Sequence, residues 1–259
     1  MIRLLLAFFA LLFAGFLALA EGIAPEKRQS GFDMMSAETQ SLQKDDLANP
    51  AMLWVKEGER LWNSAPENGE RACAACHGDA RSTMNGVAAR YPAVDRPSGH
   101  LLDLDGRILQ CRSEHQKAAP WARESRPLLA LSAFIGLQSR GEMIAIDEKE
   151  TKARAAIKRG RDLFSRRFGQ LDLACVHCHD DNWGRKLGSA TIPQGHPTAY
   201  PIYRLEWQGL GSLQRRMRNC MTGVRAEPFP YGAQEWIDLE AFLKARAAGM
   251  VIETPGIRP

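Results

Sequence analysis

The sequence has little charge to spare. Its 34 Lys and Arg face 30 Asp and Glu, a formal net charge of +4 at pH 7 with no polybasic block and no RNA-binding motif, so nucleic acid is not an expected partner. The small positive excess suits an anionic small molecule or an acidic protein surface. Apolar residues make up 45%, which lacks both the excess of a membrane protein and the polarity of a disordered one. Strand signals are sparse, so the fold is expected to be mostly α. At 259 residues there is chain enough for one or two cored domains.

What is there begins at the N-terminus. Met1-Ile2-Arg3 is a short positive segment, Leu4 to Leu17 is apolar, and Ala18-Leu19-Ala20 is a small-x-small site ahead of Glu21. This is the pattern of a secretory signal peptide over 1–20, cleaved near Ala20. The alternative is an uncleaved anchor helix, which the cleavage site disfavours. An exported chain is expected in the periplasm. Residues 21–50 are polar and weakly periodic, and read as an N-terminal arm, extended or briefly helical, laid on a partner.

Six cysteines stand at 73, 76, 111, 175, 178 and 220. An even count in an exported chain first suggests disulfides. The spacing argues otherwise, because Cys73-Ala74-Ala75-Cys76-His77 and Cys175-Val176-His177-Cys178-His179 each place a histidine directly after the pair. A disulfide framework has no use for those histidines, and adjacent Cys and His neighbours do not easily wrap one zinc ion tetrahedrally. C-x-x-C-H is the attachment signature of a c-type haem. Two covalent haems c are therefore expected, with His77 and His179 as proximal iron ligands.

The two motifs sit in a duplicated unit. Gly58-Glu59-Arg60-Leu61-Trp62 precedes Cys73 by the spacing at which Gly160-Arg161-Asp162-Leu163-Phe164 precedes Cys175, and each is read as a helix start. Leu131-Ser132-Ala133-Phe134-Ile135 is echoed by Leu239-Glu240-Ala241-Phe242-Leu243, in helices that close each half and end in Gly141 and Gly249 as C-caps. Pro- and Gly-rich loops, Tyr91 to Gly99 and Gly184 to Tyr203, fall where haem-edge loops belong. Three echoes in one order are more than chance supplies. Helix, C-x-x-C-H, irregular segment, closing helix is an order that resembles the cytochrome c fold. Two tandem cytochrome c-like domains are expected, at 51–147 and 148–259, each binding one covalent haem.

Each iron then needs a ligand on its far side. Met84, Met143, Met217, Met221 and Met250 take no matched places in the two halves, nor do His100, His115 and His196. Cys111 and Cys220 do: each precedes its closing helix, and each follows an arginine, Arg107 or Arg216, by four positions, which a helix would put on one face. Three readings stand for this pair: buried structural cysteines, a Cys111–Cys220 disulfide, or one distal thiolate per haem. Only the last calls for a repeated position. A thiolate ligand lowers the potential of a haem and keeps a sulfur nucleophile at hand. Arg216 would favour that thiolate and attract a sulfur oxyanion, while Arg215 and Arg218 read either as helpers, Arg218 in substrate docking, or as a solvated face.

Both C-x-x-C-H motifs, Cys111 and the run Arg215-Arg216-Met217-Arg218-Asn219-Cys220-Met221 together resemble the SoxA family, the larger subunits of thiosulfate-oxidising SoxAX cytochromes, over nearly all the mature chain. The resemblance implies an L-cysteine S-thiosulfotransferase paired as a heterodimer with SoxX, a small monohaem cytochrome c. It implies that thiosulfate is joined oxidatively to a cysteine of the SoxYZ carrier, and that two electrons leave through the haems to an external cytochrome c. Carried over residue by residue, Cys73, Cys76, Cys175 and Cys178 hold the haems, His77 and His179 are proximal, and Cys111 and Cys220 are distal. Cys220 is then also the catalytic cysteine, found in the family as a persulfide, and Arg216 the substrate-binding arginine. Some members replace the first haem by a disulfide; the intact Cys73 to His77 motif implies the dihaem form. The alternative is a dihaem electron-transfer protein without bond chemistry of its own, which would use His/Met or His/His ligation. A dihaem peroxidase, which needs an open distal site, and an exported disulfide-stapled module fit the cysteine positions less well.

Overall fold

The computed structural model describes residues 23–259, so the expected signal peptide lies outside the described residues. No helix among the described residues is long and apolar enough to cross a membrane. After Ala37–Lys44 (α1) in the arm, the first half runs Met52–Asn63 (α2), Cys73–His77 (α3), Ala80–Thr83 (α4), strands Ala93–Val94 (β1) and Leu101–Leu102 (β2), Leu104–Glu114 (α5) and Arg126–Leu137 (α6). The second half runs Thr151–Ser165 (α7), Cys175–His179 (α8), Lys186–Leu187 (β3), Ala190–Thr191 (β4), Ile202–Arg204 (β5), Gly209–Gly211 (β6), Leu213–Gly223 (α9), Gln234–Arg246 (α10) and Gly256–Arg258 (β7). The fold is mostly α, as expected, with short strands only.

Each half is built on two helices that cross through a glycine: α2 on α6, and α7 on α10. The α2 face carries Val55, Gly58 and Trp62 into the core, and α7 carries Ala156, Ile157, Gly160, Leu163 and Phe164, the spacing of an amphipathic helix. A Cβ on Gly58 would stand 2.1 Å from the Ala130 carbonyl oxygen, and one on Gly160 would stand 2.0 Å from that of Asp238. Only glycine lets the backbones approach this closely. The two glycine-led segments are therefore not helix starts. They lie in the C-terminal halves of α2 and α7, whose N-caps are Ala51 and Glu150. Nor do Gly141 and Gly249 cap the closing helices, which stop at Leu137 and Arg246; with φ of +87° and +82° they turn the chain away just beyond.

The loops expected to be irregular contain hairpins. β1 pairs with β2 as Ala93↔Leu102 and Val94↔Leu101, and β5 pairs with β6 as Ile202↔Gly211 and Tyr203↔Leu210. Counted from Tyr91-Pro92 and Tyr200-Pro201, the registers are identical. The N-caps Asp103 and Ser212 follow, then α5 and α9, so that Tyr91 to Cys111 and Tyr200 to Cys220 correspond residue for residue. The hairpins are exchanged between halves. Leu101, with Val94 against it, packs into the core of Leu163, Phe164 and Trp236, while Tyr203 and Leu210 pack into that of Trp62 and Leu128. Buried Gln214 joins the halves by donating to Asp103 Oδ2 at 2.8 Å, and Arg123 makes a two-pronged pair with the same carboxylate at 2.6 and 2.9 Å.

The arm packs on its own chain. Arg28 donates to the Ala248 carbonyl at 2.6 Å, the Gln29 N–H to Gln194 Oε1 at 2.7 Å, and the Ile257 N–H to Gln43 Oε1 at 2.8 Å. Its polar side chains satisfy backbone groups of the irregular C-terminal segment, which has few ladder partners of its own.

Candidate functional site

In the second half, α8 is a single turn capped locally: the Ala174 N–H donates to His177 Nδ1 at 3.1 Å. The variable histidine of the motif thus has a structural role. His179 Nδ1, protonated, donates to the Pro193 carbonyl at 2.6 Å, leaving Nε2 as the free lone pair of a metal-binding imidazole. Its ring lies 6.3 Å from that of Phe164, and Arg246 covers Phe164 at 5.2 Å. Arg246 also pairs with Asp180 and donates to the carbonyls of Gln194 at 3.2 Å and His179 at 3.4 Å.

Cys220 reaches this histidine from α9. Ser212 Oγ caps the helix by accepting from the Arg215 N–H at 3.1 Å, and Leu213, Met217 and Met221 bury one face of it. Burial alone would push the Cys220 thiol up. The neighbouring His179 and the charges of Arg216 and Arg204 outweigh it and bring the thiol below its usual value. Cys175, beside it, is pushed up to about 12 by burial and then by Cys220. Of these two sulfurs, Cys220 is the one whose surroundings favour the thiolate.

In the first half, Cys111 on α5 is within electrostatic reach of Cys73, whose thiol burial pushes up, followed by the effect of Cys111. Gln116 Nε2 contacts Cys73 Sγ at 3.5 Å, and the Trp62 ring is 5.7 Å from that of the exposed His77. A cleft of about 310 Å³ opens here, lined by Cys73, Arg112, Gln116, Trp121 and Leu131. The arginine of this site is fully engaged: Arg107 donates to Asp95 at 2.7 Å, to Gln110 at 3.0 Å and to Tyr91 Oη at 3.3 Å. Burial pushes the Cys111 thiol up despite Arg107.

All six cysteines are free thiols, Cys76 exposed and the others half-buried, so the Cys111–Cys220 disulfide reading falls. Each half assembles two thiols and an imidazole on one turn and brings a third thiol to it from another helix. That donor set fits a c-type haem: thiols that would form the covalent tethers, His179 with its free Nε2, and one further sulfur as a second iron ligand.

The other sequence candidates go elsewhere. His196 is buried, with Nδ1 on the Gln29 carbonyl at 2.9 Å, and His100 and His115 are exposed. Met84 lies in the first core, Met217 and Met221 in the second, Met250 against a third cluster, and Met143 is exposed. Arg215 stacks over Trp207 at 4.5 Å; Arg218 stacks over Tyr231 at 4.4 Å and donates to the Phe229 carbonyl. Both are thus engaged with aromatic rings while remaining partly exposed. Arg204 was missed. It lies on β5, well ahead of the Arg-Cys run, and the only signal for it was the Tyr-Pro register shared by the two halves.

The fold and the two sites define a tandem c-type cytochrome, a class whose domains carry haem c. The SoxA/TsdA cytochrome c domain matches residues 57–144 and 159–252. The L-cysteine S-thiosulfotransferase subunit SoxA of Pseudaminobacter salicylatoxidans is 32% identical over 241 residues, covering 93% of this chain and 84% of that protein. The subunit of the same name from Allochromatium vinosum is 35% identical over 208 residues, covering 79% and 72%. The crystal structure of SoxXA from P. pantotrophus superposes with a TM-score of 0.86 at 30% identity, covering 90% of this chain and 87% of that one. The chain belongs to the SoxA/TsdA cytochrome c family.

Proposed function

We propose that this chain is the catalytic subunit of an L-cysteine S-thiosulfotransferase. It works in the periplasm as a heterodimer with a SoxX-type monohaem cytochrome c, joins thiosulfate to a cysteine of a SoxYZ-type carrier, and passes electrons to an external cytochrome c. One observation carries the reading: Cys220 stands on α9 one turn after Arg216, with His179 and Arg204 beside it. The names of the relatives and of the SoxXA structure support the activity and the partner.

Cys73, Cys76, His77 and Cys111 would hold one haem c, and Cys175, Cys178, His179 and Cys220 a second. When bound, the haems would supply one-electron acceptors, one for each of the two electrons that sulfur–sulfur bond formation releases, and pass them on to the external cytochrome. The Pro193 carbonyl fixes the His179 ring. Arg216 docks the sulfonate oxygens of thiosulfate by charge-assisted hydrogen bonds. The Cys220 thiolate and the outer sulfur of thiosulfate then form a bond, giving Cys220–S–S–SO₃⁻ and two electrons. A carrier thiolate attacks that outer sulfur, takes the –S–SO₃⁻ group and displaces Cys220 as thiolate, so charge and atoms balance.

The test is a conjugation assay with the haem-loaded chain, its cytochrome partner, thiosulfate and the carrier, read as the added mass on the carrier. Cys220→Ala loses conjugation while the whole-protein mass still shows two haems and cleavage near Ala20. Full turnover in that variant overturns the reading.

A further inference from the structure

Along the matched run from Tyr91-Pro92 to Cys111 and from Tyr200-Pro201 to Cys220, one charge is inverted: the second half has Arg204 where the first has Asp95. Asp95 is 1% exposed. It accepts from the Ser98 N–H at 3.0 Å, Ser98 Oγ at 2.5 Å, Gln110 at 3.3 Å and Arg107 at 2.7 Å. The charge of Arg107 is thereby cancelled beside Cys111. Arg204 is held differently. Its Nε lies 2.9 Å from Glu206 Oε1, a carboxylate whose side chain is 52% exposed, but out of line for a hydrogen bond, so this buried N–H has no partner. Arg216 forms no ion pair among the described residues, and both arginines act on Cys220. The pair at the first sulfur is thus neutral, while the second sulfur faces two cations with one weakly engaged carboxylate.

We propose that this hairpin position is a charge selector: Asp95 keeps anionic sulfur compounds away from Cys111, and Arg204 is a second anion-recruiting residue that admits them to Cys220. The recruiting half rests on the reading of Cys220 as the reacting sulfur; the excluding half does not. A duplicated scaffold with two cysteine sites faces the hazard of loading substrate on the wrong sulfur, and a buried carboxylate prevents it by cancelling the arginine charge that would attract an anion, without altering the backbone.

The experiment treats the haem-loaded, full-length chain with iodoacetate and, separately, with iodoacetamide, and measures alkylation of each cysteine by peptide mass spectrometry. Both reagents form the same S–C bond and expel iodide, and they differ in charge. Their ratio at one cysteine therefore cancels thiolate fraction and access, which a loosened structure would change for both. The ratio is expected to be high at Cys220 and low at Cys111. Asp95→Asn raises it at Cys111 by roughly tenfold, and Arg204→Gln lowers it at Cys220 by a similar factor. Half-saturation by thiosulfate gives a second reading: Arg204→Gln raises it roughly tenfold, more than it lowers kcat, and Arg204→Lys restores most of it. Unchanged ratios in the variants, or an unchanged half-saturation in Arg204→Gln, overturn the selector. A wild-type chain that keeps the ratio difference yet conjugates no thiosulfate overturns the catalytic reading of Cys220 and leaves the exclusion by Asp95 standing.

Discussion

In the first half the guanidinium of Arg107 is spent on Asp95, Gln110 and Tyr91; in the second, Arg216 keeps its charge for the space beside Cys220. The helices that carry them start from equivalent N-caps, follow equivalent hairpins and place the cysteine one turn after the arginine. Yet the Cys111 thiol is pushed up and the Cys220 thiol is brought down. Backbone duplication therefore does not duplicate chemistry. Burial outweighs Arg107 at Cys111, whereas two arginines and His179 outweigh burial at Cys220.

The largest effect that would break this comparison is on catalysis itself. Cys220→Ala is expected to lower thiosulfate conjugation by roughly 10³-fold or more, whereas Cys111→Ala leaves it within roughly tenfold. Comparable losses in the two variants would mean that both sulfurs act. Next come the arginines. Arg216→Ala raises the half-saturating thiosulfate concentration by roughly 30-fold, the loss of a charge-assisted contact. Arg107→Ala leaves that concentration nearly unchanged but lowers the melting temperature more than Arg216→Ala does, because Asp95 is left buried without its cation.

The glycine crossings sharpen the comparison from the side of stability. Gly58→Ala and Gly160→Ala each force a methyl group against a facing carbonyl oxygen, at 2.1 and 2.0 Å before relaxation. Each should cost about 1–3 kcal/mol in denaturant unfolding, nearly equal in the two halves. The smallest effect belongs to the junction. Asp105, accepting from Ser132 Oγ, is raised above the ordinary carboxylate range by burial and then by Asp103. A carboxyl raised in the folded state adds stability that is complete below the unfolded pKa and is lost as pH rises through the folded one, because the unfolded chain ionises first. The unfolding midpoint should therefore decline from about pH 4 toward pH 8, and Asp105→Asn should flatten that decline.

The C-x-x-C-H pattern was legible from the chain alone because it is local. C-x-x-C-H places two thiols and an imidazole on one turn whatever surrounds them, and an arginine four positions before a cysteine shares its face in any helix. The glycine-led segments were recognisable as repeats but were read as helix starts. Their spacing marks a crossing, and a crossing involves a second helix that spacing along one helix does not reveal. Arg218 and Arg215 illustrate the same limit: three arginines on one turn look alike in sequence, and only Tyr231, Phe229 and Trp207 separate two of them from Arg216.

By itself, then, the sequence determined the two C-x-x-C-H turns, the helical halves and the two matched cysteines, all consequences of spacing along one strand of chain. Tertiary structure alone decided that the hairpins are exchanged between halves, that the arm folds back on the C-terminal segment, and that Asp95 and Arg204 stand at equivalent places beside different sulfurs. The physical reason is range: periodicity fixes which residues share a face, whereas the charge a sulfur feels is set by groups that only folding brings within a few ångströms of it.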